Sequence, residues 1–202
     1  MSLFDKLFGG GKKVPKETAE TRGEHMPDLK IPIDEKFTIY FKKNGGKFIY
    51  CEDFTEVQEA LSNIVAENDW QGRFFYTLDK RINERFASER LSFTSNRNES
   101  DIFFTTCEHL IAHNGSILVC SHQIKERKLN ELPSNLIVFA TTSQLVDSIS
   151  EALKAIKQRY PDKIPDNITT LKHFLPTPEN ENDFLSYGSA SKNVYLLLLE
   201  DY

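Results

Sequence analysis

Residues 101–140 read DIFFTTCEHLIAHNGSILVCSHQIKERKLNELPSNLIVFA. Three runs here, DIFFTT (101–106), SILVCS (116–121) and NLIVFAT (135–141), are short, apolar and rich in β-formers. A strand wetted on one side alternates apolar with polar residues. An unbroken apolar run instead fits a strand buried on both faces, as in a parallel sheet.

The flanking sequence alternates helix and strand signals. Residues 34–44 predict a helix capped at Asp34, with Phe37, Tyr40 and Phe41 inward and a stop at Gly45 and Gly46. Residues 47–51 then read as a strand, and residues 53–68 as a helix with Val57, Leu61, Ile64 and Val65 on one stripe. A strand at 73–77 and a helix at 79–87, with Ile82 and Phe86 four apart, repeat the unit; residues 92–100 read as a polar connection. Residues 144–160 place Leu145, Ile149, Leu153 and Ile156 at helical spacing, and Pro161 closes the helix. Residues 175–191 read as a long exposed loop, and VYLLLLE (194–200) as a last buried strand. The expected fold class is therefore α/β, an open, mostly parallel sheet with helices on both faces.

A chain of 202 residues, 39% hydrophobic and 27% charged, supports one sizeable core rather than two domains. The expected organisation is a flexible N-terminal tail over residues 1–32 and one α/β domain over residues 33–202. Residues 12–32 carry almost no apolar side chains and read as a tether. Ahead of it, Leu3, Phe4, Leu7 and Phe8 share one face of a short helix, which suits either a docking segment or a frayed end.

A net charge of -5 argues against a nucleic-acid binder. Cys51, Cys107 and Cys120 form no CxxC pair, so neither a disulfide framework nor an iron-sulfur cluster in this chain is expected. The opening MSLFDKLFGGGKK lacks a secretory signal pattern, and no run reaches bilayer-spanning length. A cytoplasmic protein without a transmembrane segment is the expectation, which makes the sequons at Asn98, Asn114 and Asn167 irrelevant. The GxxxxGK[ST], GxGxxG and GxSxG motifs are all missing from the sequence.

Residues 101–140 resemble the LUD-domain family, the lactate-utilisation protein C type found in bacterial lactate-utilisation systems. The resemblance runs through Asp101, Thr105 or Thr106, Ile111, Ala112, Gly115, Ser116, Arg127, Leu132 and Pro133, then residues 135–140. It implies the fold of the glucosamine-phosphate isomerase, ribose-phosphate isomerase and CoA-transferase superfamily. It also implies a short helix between the first two strands, and an accessory or ligand-binding role beside iron-sulfur redox proteins of a lactate-oxidation system. His113 and Asn114 stand where members usually carry Glu and Thr, and residues 188–192 (GSASK) replace a Gly-x-His-Gly-Pro element.

On this reading Thr105, Thr106, Gly115, Ser116 and Arg127 are the candidate ligand-binding residues, for a small anionic ligand. Thr105 and Thr106 at a strand end suit either an anion at a helix N-terminus or a plain helix cap. Glu108 is the candidate catalytic carboxylate, although a Glu in a first helical turn is also what the dipole favours. Gly115 either turns the chain or admits a ligand to the backbone. Lys125, Arg127 and Lys128 form a basic loop, and Arg127 matches the family position. His109 and His113, four apart on the expected helix, with Cys107, Cys120 and His122 nearby, raise a zinc reading. HExxH order and cysteine ligand spacing are both missing, so neither a metal nor another cofactor is expected. The leading function is thus a ligand-binding subunit in organic-acid oxidation. The alternatives are a free-standing enzyme acting on a phosphorylated sugar, an acyl-CoA or a hydroxy acid, and a non-catalytic interaction module.

Overall fold

The structure, a computed structural model, describes residues 31–87, 89, 91–174 and 192–201. The chain runs through α1 (Ile33–Lys43), β1 (Lys47–Cys51), α2 (Phe54–Glu67), β2 (Phe74–Tyr76), α3 (Lys80–Arg85), β3 (Ser92–Thr94) and β4 (Ile102–Thr106). It continues through β5 (His109–Ile111), β6 (Ser116–Val119), α4 (Ser121–Ile124), β7 (Asn135–Thr141), β8 (Leu145–Val146), α5 (Ile149–Arg159), β9 (Thr169–Leu171) and β10 (Asn193–Leu199).

Six strands form a sheet in the order β1-β10-β7-β4-β2-β3, and each pairing in it is parallel. The α/β class and the open parallel sheet are as the sequence predicts. Along β4, β7 and β10, Ile102, Phe104, Ile137, Phe139, Tyr195 and Leu197 share one core with Val57, Leu61 and Ile64 of α2, Ile82 of α3 and Phe86 just after it. The intervening Phe103, Leu136, Val138, Leu196 and Leu198 point to the opposite face, because side chains alternate along a strand, and they are equally buried. This double burial explains the unbroken apolar runs of β4, β7 and β10; the run at 116–121, expected in the same parallel sheet, instead supplies β6, which pairs antiparallel with both of its neighbours in a second sheet.

The main correction concerns residues 107–115. The expected helix is a β-hairpin: β5 pairs antiparallel with β6, and β8 and β9 extend it into a second sheet, β8-β5-β6-β9. A run as short as His109–Ile111 carries no decisive period, and its backbone finds partners on both sides. Ile111 and Leu118 pack against Ala152 and Ile156 of α5. Leu110, Ile117 and Val119, also buried, lie on the other side of this sheet.

Three smaller revisions have local causes. Helix α5 starts at Ile149, where the Ser148 side chain accepts from the Glu151 N–H, because Leu145 and Val146 are taken up by pairing with β5. Its buried stripe is Ala152 and Ile156, while Ile149 and Leu153 are exposed. Helix α1 begins after Pro32, with no side-chain cap and with Asp34 in its first turn, and it buries Phe37 and Phe41 but leaves Tyr40 exposed. Finally, residues 92–100 hold an edge strand, β3, and a short 3-10 turn. The segment with Leu3 to Phe8, the tether up to residue 30 and the loop at 175–191 lie outside the described residues.

Candidate functional site

From β2 the chain leaves outward to β3, whereas from β4 it leaves the other way, toward β7 and then β10. The carboxyl ends of β2 and β4 therefore flank the switch point of the sheet, where open α/β folds leave a crevice for ligands. Thr77 to Asp79 follow β2, and Cys107 and Glu108 follow β4. The polar residues meeting here come from five parts of the chain.

Glu108 is the centre. Its backbone N–H donates to the Leu118 carbonyl at 2.9 Å, which fixes it at the open end of the β5–β6 hairpin. Its carboxylate is fully buried. Oε1 accepts from Gln123 Nε2 at 2.8 Å and from the Cys120 thiol at 3.4 Å, and lies 3.3 Å from His122 Nδ1. Oε2 accepts from the Tyr160 hydroxyl at 3.2 Å and lies 3.6 Å from Arg159. Burial disfavours the charged form, but the hydrogen bonds from Gln123, Cys120 and His122 and the nearby Arg81 charge outweigh it and hold Glu108 below the usual carboxylate range.

Helix α4 positions this shell. Cys120 caps it, its N–H donating to Gln123 Oε1 at 2.8 Å, so the Gln123 amide bridges the helix start and Glu108. The His122 ring packs edge-on against Tyr160, the residue that caps the end of α5, with centroids 4.8 Å apart. The ligating atoms of Glu108, Cys120 and His122 all lie within 4.8 Å of one another. This trio can hold a metal ion.

Beside it, the buried Asp79 accepts from Arg81 in a two-pronged pair, Nε to Oδ1 at 2.9 Å and Nη2 to Oδ2 at 2.8 Å, and also from the Thr106 hydroxyl. Burial opposes its ionisation, yet the Arg81 and Thr106 hydrogen bonds leave its pKa lowered. His109 is shifted down by burial and is therefore neutral; its Nδ1 lies 3.2 Å from the Gln144 carbonyl, and its buried Nε2 has no hydrogen-bond partner among the described residues.

An open cleft of about 820 Å³ adjoins the cluster, bordered by Leu78 from the β2 exit, His122, Lys125, Arg127 and Lys163. His122, 41% exposed at its side chain, is the residue shared by the buried cluster and the cleft. Lys125 takes φ 54° and ψ -129°, a combination glycine adopts readily and lysine rarely.

Residues 35–199 match the LUD domain. The chain belongs to the LUD-domain family. The fold of this LUD domain is similar to that of a DUF162-family protein from Deinococcus radiodurans solved by crystallography, at 14% identity and a TM-score of 0.58, over 84% of this chain and 96% of that one. At that identity the likeness concerns the fold. No curated protein matches the chain.

Within the LUD domain the residues singled out from the sequence separate. Thr106 and Glu108 sit in the cluster, the former through Asp79. Thr105 is fully buried, and its hydroxyl donates to the Thr106 carbonyl at 3.2 Å. No helix begins at this pair, so the expected N-terminal anion site does not form there. Arg127 borders the cleft, with its carbonyl accepting from Asn167. Gly115 and Ser116 lie at the other end of the β5–β6 hairpin, where the Ser116 hydroxyl donates to Asn114 Oδ1 at 2.6 Å. His109 lies in a strand and His113 in the turn after it, so the two do not share a helix face.

Sequence reasoning missed Asp79, Arg81, Gln123, Arg159 and Tyr160. Asp79 has a readable signal, a polar residue directly after a strand and before a helix. Arg159 and Tyr160 read only as the end of an amphipathic helix. What brings them to Glu108 is the packing of α5 on the second sheet.

Proposed function

We propose that this LUD domain is a ligand-binding subunit for a small organic acid of the hydroxy-acid class, working in organic-acid oxidation of the lactate-utilisation type. The observation that carries this reading is the pairing of the buried, ionised Glu108 with His122, the residue that borders the cleft at the switch point. A carboxylate on one ring nitrogen fixes the imidazole and leaves its other nitrogen for a ligand hydroxyl. Arg127, Lys125 and Lys163 offer cationic donors to a ligand carboxylate, set among the acids Glu126, Glu131 and Asp166 of the same rim.

The chain contains three cysteines, Cys51, Cys107 and Cys120, all buried. An oxidation that moves electrons would therefore draw on iron-sulfur partners, and the cytoplasm is the compartment we propose for the complex.

Thermal shift with lactate, glycolate, sugar phosphates and CoA esters tests the reading. A ligand at one hundred times its Kd adds about 2.7 kcal/mol, and a chain of this size gains about 2–4 °C per kcal/mol. Hydroxy acids are expected to raise Tm, and His122→Ala and Arg127→Ala to abolish the rise. A flat response to every anion, with the chain folded, sinks the proposal.

A second reading, a free-standing enzyme, is favoured by the same dyad, since a carboxylate-oriented imidazole is a general base. Glu108 is then the orienting group rather than a nucleophile, because its carboxylate is enclosed by protein donors. Turnover of one of these compounds by the isolated chain, lost in His122→Gln, would select this reading.

A further inference from the structure

We propose that Glu108, Cys120 and His122 form a three-ligand site for a borderline-soft divalent cation of the zinc class, with its fourth position open to the cleft beside His122. The first argument is geometric. A tetrahedral zinc ion about 2.3 Å from sulfur and about 2.0 Å from nitrogen and oxygen requires S–O edges of about 3.5 Å and N–O edges of about 3.3 Å. The Cys120 Sγ to Glu108 Oε1 separation is 3.4 Å and the His122 Nδ1 to Oε1 separation is 3.3 Å. One ligand atom from each of the three residues lies within 4.8 Å of the others, and the His122 side chain is 41% exposed, which leaves its ring room to turn toward Sγ.

The second argument concerns donor crowding. Oε1 of Glu108 faces three groups, the Gln123 amide, His122 Nδ1 and the Cys120 thiol, whose proton also reaches Gln123 Oε1 at 3.2 Å, while a carboxylate oxygen offers about two lone pairs. One cation bound by oxygen, sulfur and nitrogen replaces the thiol and imidazole contacts together, and leaves the Gln123 bond to orient the carboxylate. Tyr160 and Arg159 hold the other oxygen. Such outer partners are what fixes a ligating carboxylate.

The third argument is charge. Arg81 and Arg159 lie close by, and their presence opposes a bare cation. Uptake of a divalent ion with loss of the Cys120 thiol proton, however, raises the local charge by one unit only. The burial that pushes the Cys120 thiol up to about 12 without metal is overcome by direct coordination, because a bound cation deprotonates its thiol. A thiolate, imidazole and carboxylate set favours zinc or cobalt over magnesium or calcium.

Cobalt(II) is the probe for the full chain, stripped with a chelator and free of organic acids, so that failure here leaves the hydroxy-acid reading standing. One ion per chain is expected, with a near-ultraviolet thiolate-to-cobalt band, displacement by zinc and release of one proton. Cys120→Ser removes the band, and serine still suits the helix cap; His122→Ala abolishes binding with little effect on folding. Gln123→Ala weakens binding about 10- to 100-fold. His113→Ala leaves it unchanged. A missing band, or a band that survives Cys120→Ser or His122→Ala, overturns the site.

Discussion

A Cβ atom on Gly115 would stand 2.3 Å from the backbone nitrogen of Phe41, and Gly115 itself has φ +64°. The β5–β6 turn therefore touches the backbone of α1, and Asn44 at the end of that helix donates to the Asn114 and Gly115 carbonyls at 2.7 and 3.2 Å. Glycine is needed here for backbone approach and left-handed φ together. Gly115→Ala is expected to cost about 1–3 kcal/mol from overpacking, plus about 1–2 kcal/mol from the conformation. Urea denaturation reads it; an unchanged midpoint would mean that α1 and the hairpin do not meet closely.

Phe86 joins α3 to the main sheet through ring contacts with Phe54, Phe104 and Phe139 at centroid distances of 5.4, 4.8 and 5.5 Å. It is fully buried. Phe86→Ala should lower stability by about 3–5 kcal/mol. Because α3 carries Arg81 and is capped by Asp79, the same variant should also weaken ligand binding.

Arg81 donates to both oxygens of the buried Asp79. Arg81→Ala leaves that carboxylate with the Thr106 hydroxyl and a backbone N–H, at a cost of about 1–3 kcal/mol. In a double-mutant cycle, Asp79→Asn should make the loss of Arg81 almost neutral. Additive effects would show that the pair contributes nothing.

Two pH windows follow from groups whose folded pKa lies below the unfolded one. His109 is pushed down by burial, so its contribution is complete above about pH 6.5 and declines as the unfolded chain takes up a proton below that value. Asp201 is opposed by burial but held at about 2 by hydrogen bonds from Ser143 and Thr142. Its contribution is complete above about pH 4 and is lost as the pH falls toward 2. His109→Gln should flatten the stability curve below pH 6.5, and Asp201→Asn only its acid end. The reverse assignment in urea titrations across pH would contradict both.

The α/β class and the buried parallel strands are legible in the chain's own letters, because runs such as IFFTT, LIVFA and YLLLL have no wetted face to offer. The sequence also picked out Glu108 and Thr106, which follow from the end of a strand. The second sheet was not legible, since His109–Ile111 is too short to show a period and its partners, Leu145 and Val146, lie 35 residues away in sequence. It takes the folded chain to bring Arg159 and Tyr160, at the end of α5, and Cys120, His122 and Gln123, at the start of α4, onto one carboxylate. Local sequence encodes caps and stripes; only the stacking of α5 on the hairpin brings those termini to Glu108.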